Sequence, residues 1–156
     1  MSLLDASPPD ETTAGWWDAT RAHRLVLQTC TACGGQQHPP RSVCLRCGTT
    51  DGLGWVPANG SGVVDSFTVV HRAAHLDAAV PYVIARVRVA EGPILLTRLE
   101  GRPVDAWAVG DAVSLAWEDL DDGRALPVFH GVEGGRAPDA HVQHEPTGQT
   151  GPHEER

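Results

Sequence analysis

The four cysteines of this 156-residue chain fall into two Cys-x-x-Cys pairs, Cys30 with Cys33 and Cys44 with Cys47. Two such turns that open toward each other bring four thiolates into the tetrahedral arrangement that Zn²⁺ prefers. A glycine follows each pair, where a tight turn points backbone N–H groups at sulfur. The first ten residues lack the basic, apolar design of a secretion signal, so disulfides are the weaker interpretation. The spacing therefore predicts one metal centre that uses every cysteine.

We expect this centre to be structural. A shell of four protein thiolates leaves no position for water or substrate. Zinc is the expected metal, and iron in a rubredoxin-like site remains the alternative, because four thiolates suit either ion. The metal would also supply folding free energy, since the segment between Leu25 and Trp55 has too little apolar content to fold without it.

Other groups that could do chemistry are few. All 12 basic residues are arginines, which excludes Schiff-base and P-loop lysine chemistry. Three histidines, His71, His75 and His130, lie on or beside the predicted strands, where a lone histidine is more often structural than catalytic. With all cysteines committed to metal, the sequence predicts no catalytic residue.

The chain divides into five predicted zones, which determine where these residues lie. We expect a flexible leader over 1–12, a docking helix over 13–24, a zinc ribbon over 25–57, an OB-fold over 58–132 and a disordered tail over 133–156. The tail is rich in Gly, Pro, His and charge and has little apolar surface to bury. The helix is too short to be stable alone, so it must dock through Trp16 and Trp17.

Alternation and turn residues predict the strands. Over residues 80–89, small apolar residues at every second position share one face, and Arg86 and Arg88 share the other. Gly92, Gly110 and Gly123 mark the turns that follow. Five short strands with a break before the fourth predict a small closed barrel. The predicted fold class is mainly β, with a short N-terminal helix, a rubredoxin-like zinc ribbon and a five-stranded OB-fold barrel.

Charge and hydropathy narrow the expected partners. The formal net charge is −8 at pH 7, whereas affinity for phosphate backbones needs clustered positive charge, so nucleic acid is not an expected partner. No apolar run approaches the roughly 18 residues that a membrane span requires. We expect a cytoplasmic protein with no membrane partner.

These motifs in combination resemble the DUF35 family of zinc-ribbon and OB-fold proteins associated with acyl-CoA metabolism. The resemblance extends from about Gly15 to Val132. Its motifs are the Trp16-Trp17 pair, LVLQTCTACG, PPRSVCLRCG, Trp55, GSGVVDSFTVVHR, PYVIA, EGP, the Val109-Gly110 turn and LPVF.

The resemblance implies a role in partnership more than in chemistry. Family members dock on thiolase-fold or lipid-transfer-protein-like enzyme subunits and help to form the acyl-CoA binding region there. CoA phosphates would favour guanidinium contacts, which points to Arg72, Arg86 and Arg88, although a solvated outer face paired with Asp and Glu is the favoured explanation of Arg86 and Arg88. The expected partner interface includes Trp16, Trp17 and Trp107, although covering of the chain's own core explains Trp16 and Trp17 equally well. Arg41 and Arg46 would offset the charge of the metal centre.

Three functional classes remain open at this point. The first is a non-catalytic zinc-binding subunit of a thiolase-like enzyme that forms or cleaves C–C bonds on acyl-CoA thioesters, with steroid degradation as one setting. Thiolysis, condensation and acyl transfer are the other reactions that such partners run. The second is a single-stranded nucleic-acid binder, which would need basic and aromatic residues on the barrel face. The third is a free-standing acyl-CoA binder or an iron-containing electron carrier.

Overall fold

A computed structural model describes residues 8–72 and 79–136 of the chain. The elements run in the order α1 (Ala14–Arg21), β1 (Val26–Cys30), β2 (Gln36–Gln37), β3 (Leu53–Pro57), β4 (Ser61–Val70), β5 (Tyr82–Val89), β6 (Ile94–Glu100), β7 (Asp111–Asp119) and β8 (Ala125–Arg136). Within the described part of the chain, no helix has the length and apolar character needed to cross a membrane.

The first three strands form a small antiparallel sheet in the order β2-β1-β3. Its central strand β1 ends at Cys30, the first predicted ligand, and pairs with β3 along its whole length. The sheet is short because most of the chain between β1 and β3 forms the two cysteine turns. Leu25 and Leu27 are buried and belong to the same core as the barrel residues. The metal-binding unit is therefore anchored directly to the larger domain.

The last five strands close into a barrel in the order β4-β5-β6-β8-β7. On β5, buried and exposed side chains alternate as predicted. The buried ones are Val83, Ala85, Val87 and Val89, whereas Arg86 and Arg88 are exposed. These residues pack with Phe129, which is 0% exposed. A core of this size in a closed barrel supplies the main apolar burial of the fold. The predicted mainly β fold with an OB-type barrel is confirmed.

Helix α1 ends two turns after it begins, three residues earlier than the 13–24 prediction. His23 adopts a left-handed conformation (φ 52°), and the N–H of Arg24 donates to the carbonyl of Ala19 (3.0 Å). This closure of the last turn satisfies carbonyls that a helix end otherwise leaves free. The imidazole of His23 then stacks on Trp117 and lies 2.6 Å from a carboxylate oxygen of Asp119. The helix end is thereby tied to β7.

The C-terminal end of the barrel differs from the predicted one, and some predicted features fall on residues that the structure does not describe. Strand β8 continues to Arg136, past the predicted barrel end at 132, because its backbone still pairs with Asp111 of β7. Composition gave no sign of this, since strand pairing uses backbone groups that Gly supplies as well as Val. The remainder of the predicted tail, the leader up to residue 7 and His75 lie outside the described residues.

Candidate metal centre and adjoining groove

The two cysteine turns bring four sulfur atoms together. The Sγ atoms of Cys30, Cys33, Cys44 and Cys47 all lie within 4.8 Å of one another. Two of the Sγ–Sγ distances, Cys30–Cys47 and Cys33–Cys44, are 3.7 Å. A tetrahedral zinc with Zn–S bonds of about 2.3 Å requires sulfurs about 3.8 Å apart. The site fits one structural zinc, and none of the cysteines is in a disulfide.

Local turns hold each pair in place. Gly34 donates its N–H to the carbonyl of Cys30 (2.8 Å), and Gly48 donates to Cys44 (2.9 Å). Both glycines have positive φ, 68° and 77°, a conformation that costs glycine little. In the second turn, N–H groups of Cys47 and Arg46 donate to the Cys44 sulfur and lower the pKa of that thiol to about 6. A thiolate is the form that binds metal.

A pair of buried glutamines supports the second turn. Gln28 on β1 faces Gln37 on β2, and the Gln37 amide donates to the Gln28 carbonyl oxygen at 2.6 Å. Gln28 holds both backbone groups of Arg41, with N···O distances of 2.9 Å each. Gln37 accepts from the N–H of Leu45 (2.8 Å) and donates to the carbonyl of Val43 (3.1 Å). We call this set of contacts the glutamine clamp.

The clamp holds the loop segment that contains Cys44, because Cys44 lies between Val43 and Leu45. Gln28 is a single glutamine in β1 and Gln37 is the second residue of a Gln-Gln dipeptide, and neither setting signals such a role in the sequence. Only the strand register places one opposite the other. Arg46 donates to the carbonyl of Cys33 (3.3 Å), so its cationic head lies against the first turn as expected, whereas the contacts of Arg41 are made by its backbone.

The three arginines predicted to contact CoA are not all brought together. Arg86 and Arg88 share the outer face of β5, and Asp65 lies between them at 3.6 Å and 2.8 Å. Asp65 is the extra residue of a bulge in β4, since Val64 pairs with Val87 and the next paired residue is Ser66. Arg72 is exposed beyond the end of β4. The structure therefore gives two arginines a shared carboxylate and leaves Arg72 apart.

The three tryptophans predicted at a partner interface are largely covered by the chain itself. Trp16 is 8% exposed and Trp107 is 6% exposed. Trp16 meets Trp17 edge to face at 4.6 Å, and the Arg124 guanidinium lies 4.4 Å from the Trp17 ring centroid. Trp107 belongs to the barrel core, with the Arg102 guanidinium 5.0 Å from its centroid. Trp17 is the one of the three that remains half-buried.

Three hollows follow the junction between the ribbon and the barrel, with volumes of about 720, 700 and 270 Å³. His38 lines all three, and Leu96 lines the second and third. The first lies beside the cysteine turn that carries Arg46, and the second contains Arg86 and Arg88. The third, which we call the seam pocket, opens between β6 and β8. Together they form a groove that runs from the metal centre across the barrel.

His38 was not singled out by the sequence, because a histidine before two prolines reads as an exposed loop residue. Burial instead lowers the pKa of His38 to about 4, so the imidazole is neutral at physiological pH. Its ring lies 5.7 Å from that of Trp16. His71 is exposed, and His130 lies 3.7 Å from a carboxylate oxygen of Glu100. These positions give neither of the latter two a buried catalytic setting.

Comparison with known proteins identifies the family. Residues 17–51 match the rubredoxin-like zinc ribbon domain of ChsH2, and residues 55–118 match the ChsH2 C-terminal OB-fold domain. A solved structure, the Ltp2-ChsH2(DUF35) aldolase, is 37% identical with a TM-score of 0.74, and the likeness covers 81% of this chain and 98% of that chain. This chain belongs to the ChsH2-type DUF35 family. The predicted resemblance is confirmed.

Two curated relatives are hydratase subunits by name. The probable enoyl-CoA hydratase alpha subunit of Thermomonospora curvata is 41% identical over 118 residues, covering 74% of this chain and 36% of the relative. The 3-oxo-4,17-pregnadiene-20-carboxyl-CoA hydratase alpha subunit of Mycobacterium tuberculosis is 34% identical over 110 residues, covering 70% and 35%. The chain thus spans about a third of the length of these two relatives.

Proposed function

We propose that this chain is a zinc-containing accessory subunit that docks on a thiolase-like enzyme of the Ltp2 aldolase type and helps to form its acyl-CoA site. One observation carries the proposal: the likeness to the ChsH2(DUF35) chain of an aldolase extends over nearly all of that chain. The four-thiolate centre supports it, because a closed shell stabilises a surface and leaves no site for substrate on the metal.

The zinc would be held by the four cysteines and would supply folding energy to the ribbon. The chain's own residues carry the rest of the role. The glutamine clamp orders the loop beside Cys44, and the ribbon then forms one wall of the groove. None of these structural roles requires a nucleophile on this chain, so the enzyme subunit would carry out the chemistry.

For the reaction, we propose cleavage or formation of a C–C bond on a CoA thioester, with retro-aldol cleavage of a steroid side chain as the leading case. The aldolase in the name of the solved relative supports this class, and the pregnadiene-carboxyl-CoA hydratase name supports a steroid-derived thioester. Thiolysis and acyl transfer are the outcomes that a substrate panel would distinguish from it.

Arg72, Arg86 and Arg88 are the proposed contacts to CoA phosphates. Guanidinium groups pair well with phosphate, but Asp65 holds two of them and lowers their net charge. The substitution Asp65→Asn should therefore tighten CoA binding to the complex, and the double substitution of Arg86 and Arg88 by Ala should weaken it. Arg24→Ala serves as the control, because Arg24 is an exposed arginine outside the second hollow.

The test of the proposed function is co-expression with the Ltp2-type protein of the same genome, followed by size-exclusion chromatography with light scattering. The proposal expects a stable complex whose aldolase activity on a steroid CoA thioester exceeds that of either subunit alone. A folded, zinc-loaded chain that elutes separately from that protein would refute the partner assignment.

A further inference from the structure

The seam pocket exists because β6 and β8 barely pair. Their parallel ladder has only two residue pairs, Leu99 with Phe129 and Glu100 with His130. Just before these pairs, the Thr97 hydroxyl donates to the carbonyl of Pro127 at 2.7 Å. Beside this contact, the strands leave a space of about 270 Å³, which α1 covers with Trp16 and the ribbon covers with His38. The wall is mostly apolar, with Ile84, Leu96, Leu126 and Pro127.

Two buried nitrogen atoms at this pocket, Trp16 Nε1 and His38 Nδ1, have no hydrogen-bond partner among residues 8–72 and 79–136. Trp16 is 8% exposed, and a buried polar group without a partner is costly. The indole N–H can only donate, whereas a neutral imidazole nitrogen can accept. A ligand that offers one acceptor and one donor, as a secondary amide does, would satisfy both.

The charges around the pocket disfavour an anionic ligand. Arg98 is bonded to two carboxylates, Glu100 and Glu118, the latter at 3.3 Å, so three charged groups at the rim sum to −1. In the adjoining hollow, Arg86 and Arg88 share Asp65. Taken together, the three guanidinium groups beside the pocket are balanced by three carboxylates, with the negative excess at the rim of the seam pocket itself. Electrostatic complementarity therefore favours a neutral or basic ligand here.

A large apolar side chain stands exposed at the mouth of the pocket. Leu96 is 75% exposed, and it lines both the seam pocket and the second hollow. Leu45, which lines the first hollow, is 67% exposed. Exposed apolar residues that gather along a groove indicate a protein interaction site more than scattered ones do.

We propose that the seam pocket binds an extended, uncharged segment of a partner polypeptide. One apolar side chain of that segment fills the pocket, and a flanking backbone amide bonds to Trp16 and His38. The identity of the partner as the Ltp2-type subunit rests on the proposed function. The chemistry of the segment rests on the pocket alone.

The first experiment measures the affinity of the purified Ltp2-type subunit for variants of the full zinc-loaded chain. Leu96→Asp should weaken binding by about 30-fold or more, as expected for a central interface residue. Val109→Asp is the matched control, since Val109 is 55% exposed and lies outside the groove, and it should change affinity less than about twofold. Equal, wild-type affinity for both variants would overturn the proposal.

A second experiment does not depend on the partner. The blocked peptide acetyl-Ala-Leu-Ala-N-methylamide is titrated into the ¹⁵N-labelled chain while the indole N–H resonance of Trp16, assigned through Trp16→Phe, is followed. A saturable shift with a midpoint on the order of 1 mM, absent in Leu96→Asp, would support the proposal. Saturation by pantetheine at lower concentration than by the peptide would overturn it in favour of a small-molecule site, and saturation by neither would overturn it outright.

The two experiments separate the inference from the proposed function. A chain that binds the peptide at the seam pocket but not the Ltp2-type protein would refute the proposed partner and leave the pocket's chemistry standing. A complex that forms normally with Leu96→Asp would refute the inference and leave the proposed function standing.

Discussion

Removal of one clamp residue should weaken zinc binding without touching a ligand. Gln37→Ala deletes three hydrogen bonds, those to Gln28, to the carbonyl of Val43 and from the N–H of Leu45. Gln37 itself is 8% exposed. Gln37 holds the segment that contains Cys44, so its loss should weaken zinc binding at the metal centre.

The size of the effect follows from the burial of these groups. Three hydrogen bonds at about 1 kcal/mol each set a value near 3 kcal/mol. Val43 is 36% exposed and Leu45 is 67% exposed, so water can reach the freed backbone groups, and about 2 kcal/mol is the better expectation. If the clamp is complete only in the zinc-bound state, the zinc dissociation constant rises about 30-fold.

The assay is competition for zinc with a chromophoric chelator, at fixed pH because thiolate ligands release protons when they bind metal. Gln36→Ala is the matched control, since Gln36 is the exposed neighbour on the same strand. We expect the control to bind zinc as the wild type does. Equal zinc affinity in the two variants would refute the assignment of the clamp as a support for the metal centre.

Three further predictions follow from other parts of the fold. Gly62→Ala places a Cβ 2.8 Å from the carbonyl oxygen of Arg88 and should destabilise the chain by about 1–3 kcal/mol in urea denaturation. Gly54→Ala, where no atom of the described residues apart from its chain neighbours lies within 4 Å of the new Cβ, should not; equal midpoints would contradict the close approach. Because the pKa of His38 is lowered to about 4, the unfolded chain gains a proton below pH 6.5 before the folded chain does, so stability falls as pH drops from 6.5 toward 4. The loss between pH 6.5 and pH 5 from this group should be about 2 kcal/mol; a His38→Gln variant that loses stability by the same amount would refute it. Zinc removal by a chelator should disorder β1 to β3 and lower the denaturation midpoint of the barrel, because Leu27 of β1 lies in the barrel core; an NMR spectrum in which the ribbon amides keep their dispersion would count against a structural metal.

Those parts of the fold that depend on local pattern could be predicted from the sequence. The cysteine spacing predicted the four-sulfur cluster, since short turns decide where each pair points. Alternation predicted which face of β5 is buried, and the turns before β6 and β7 fall where Gly92 and Gly110 placed them. These features need only neighbours in the chain, so a single sequence contains the information.

The features that the sequence did not reveal depend on segments that are distant in the chain. Trp107, which was predicted at a partner interface, lies in a connection that folds over the barrel and packs the ring into the core, and its burial there was not predicted. Gln28 and Gln37 become a clamp only through the strand register. The seam pocket needs α1, the ribbon and two barrel strands at once. Each case turns on tertiary contacts that override local tendency.

The ribbon and the barrel act as one platform in this account. Leu25 and Leu27 enter the barrel core, so an ordered metal centre and an ordered barrel stabilise each other. His38 stands at the junction and lines all three hollows of the groove. Metal loss would therefore alter the groove as well as the ribbon, which would couple the zinc to the proposed binding of a partner.

In the proposed function, this chain works as a zinc-loaded partner subunit. The most direct measurement is light scattering of the chain co-expressed with the Ltp2-type protein of its genome, together with metal analysis of the same peak. We expect one hetero-oligomeric peak with near-equal amounts of the two proteins and one zinc per chain of this protein. Two separate peaks, with the zinc-loaded chain folded and alone, would contradict it.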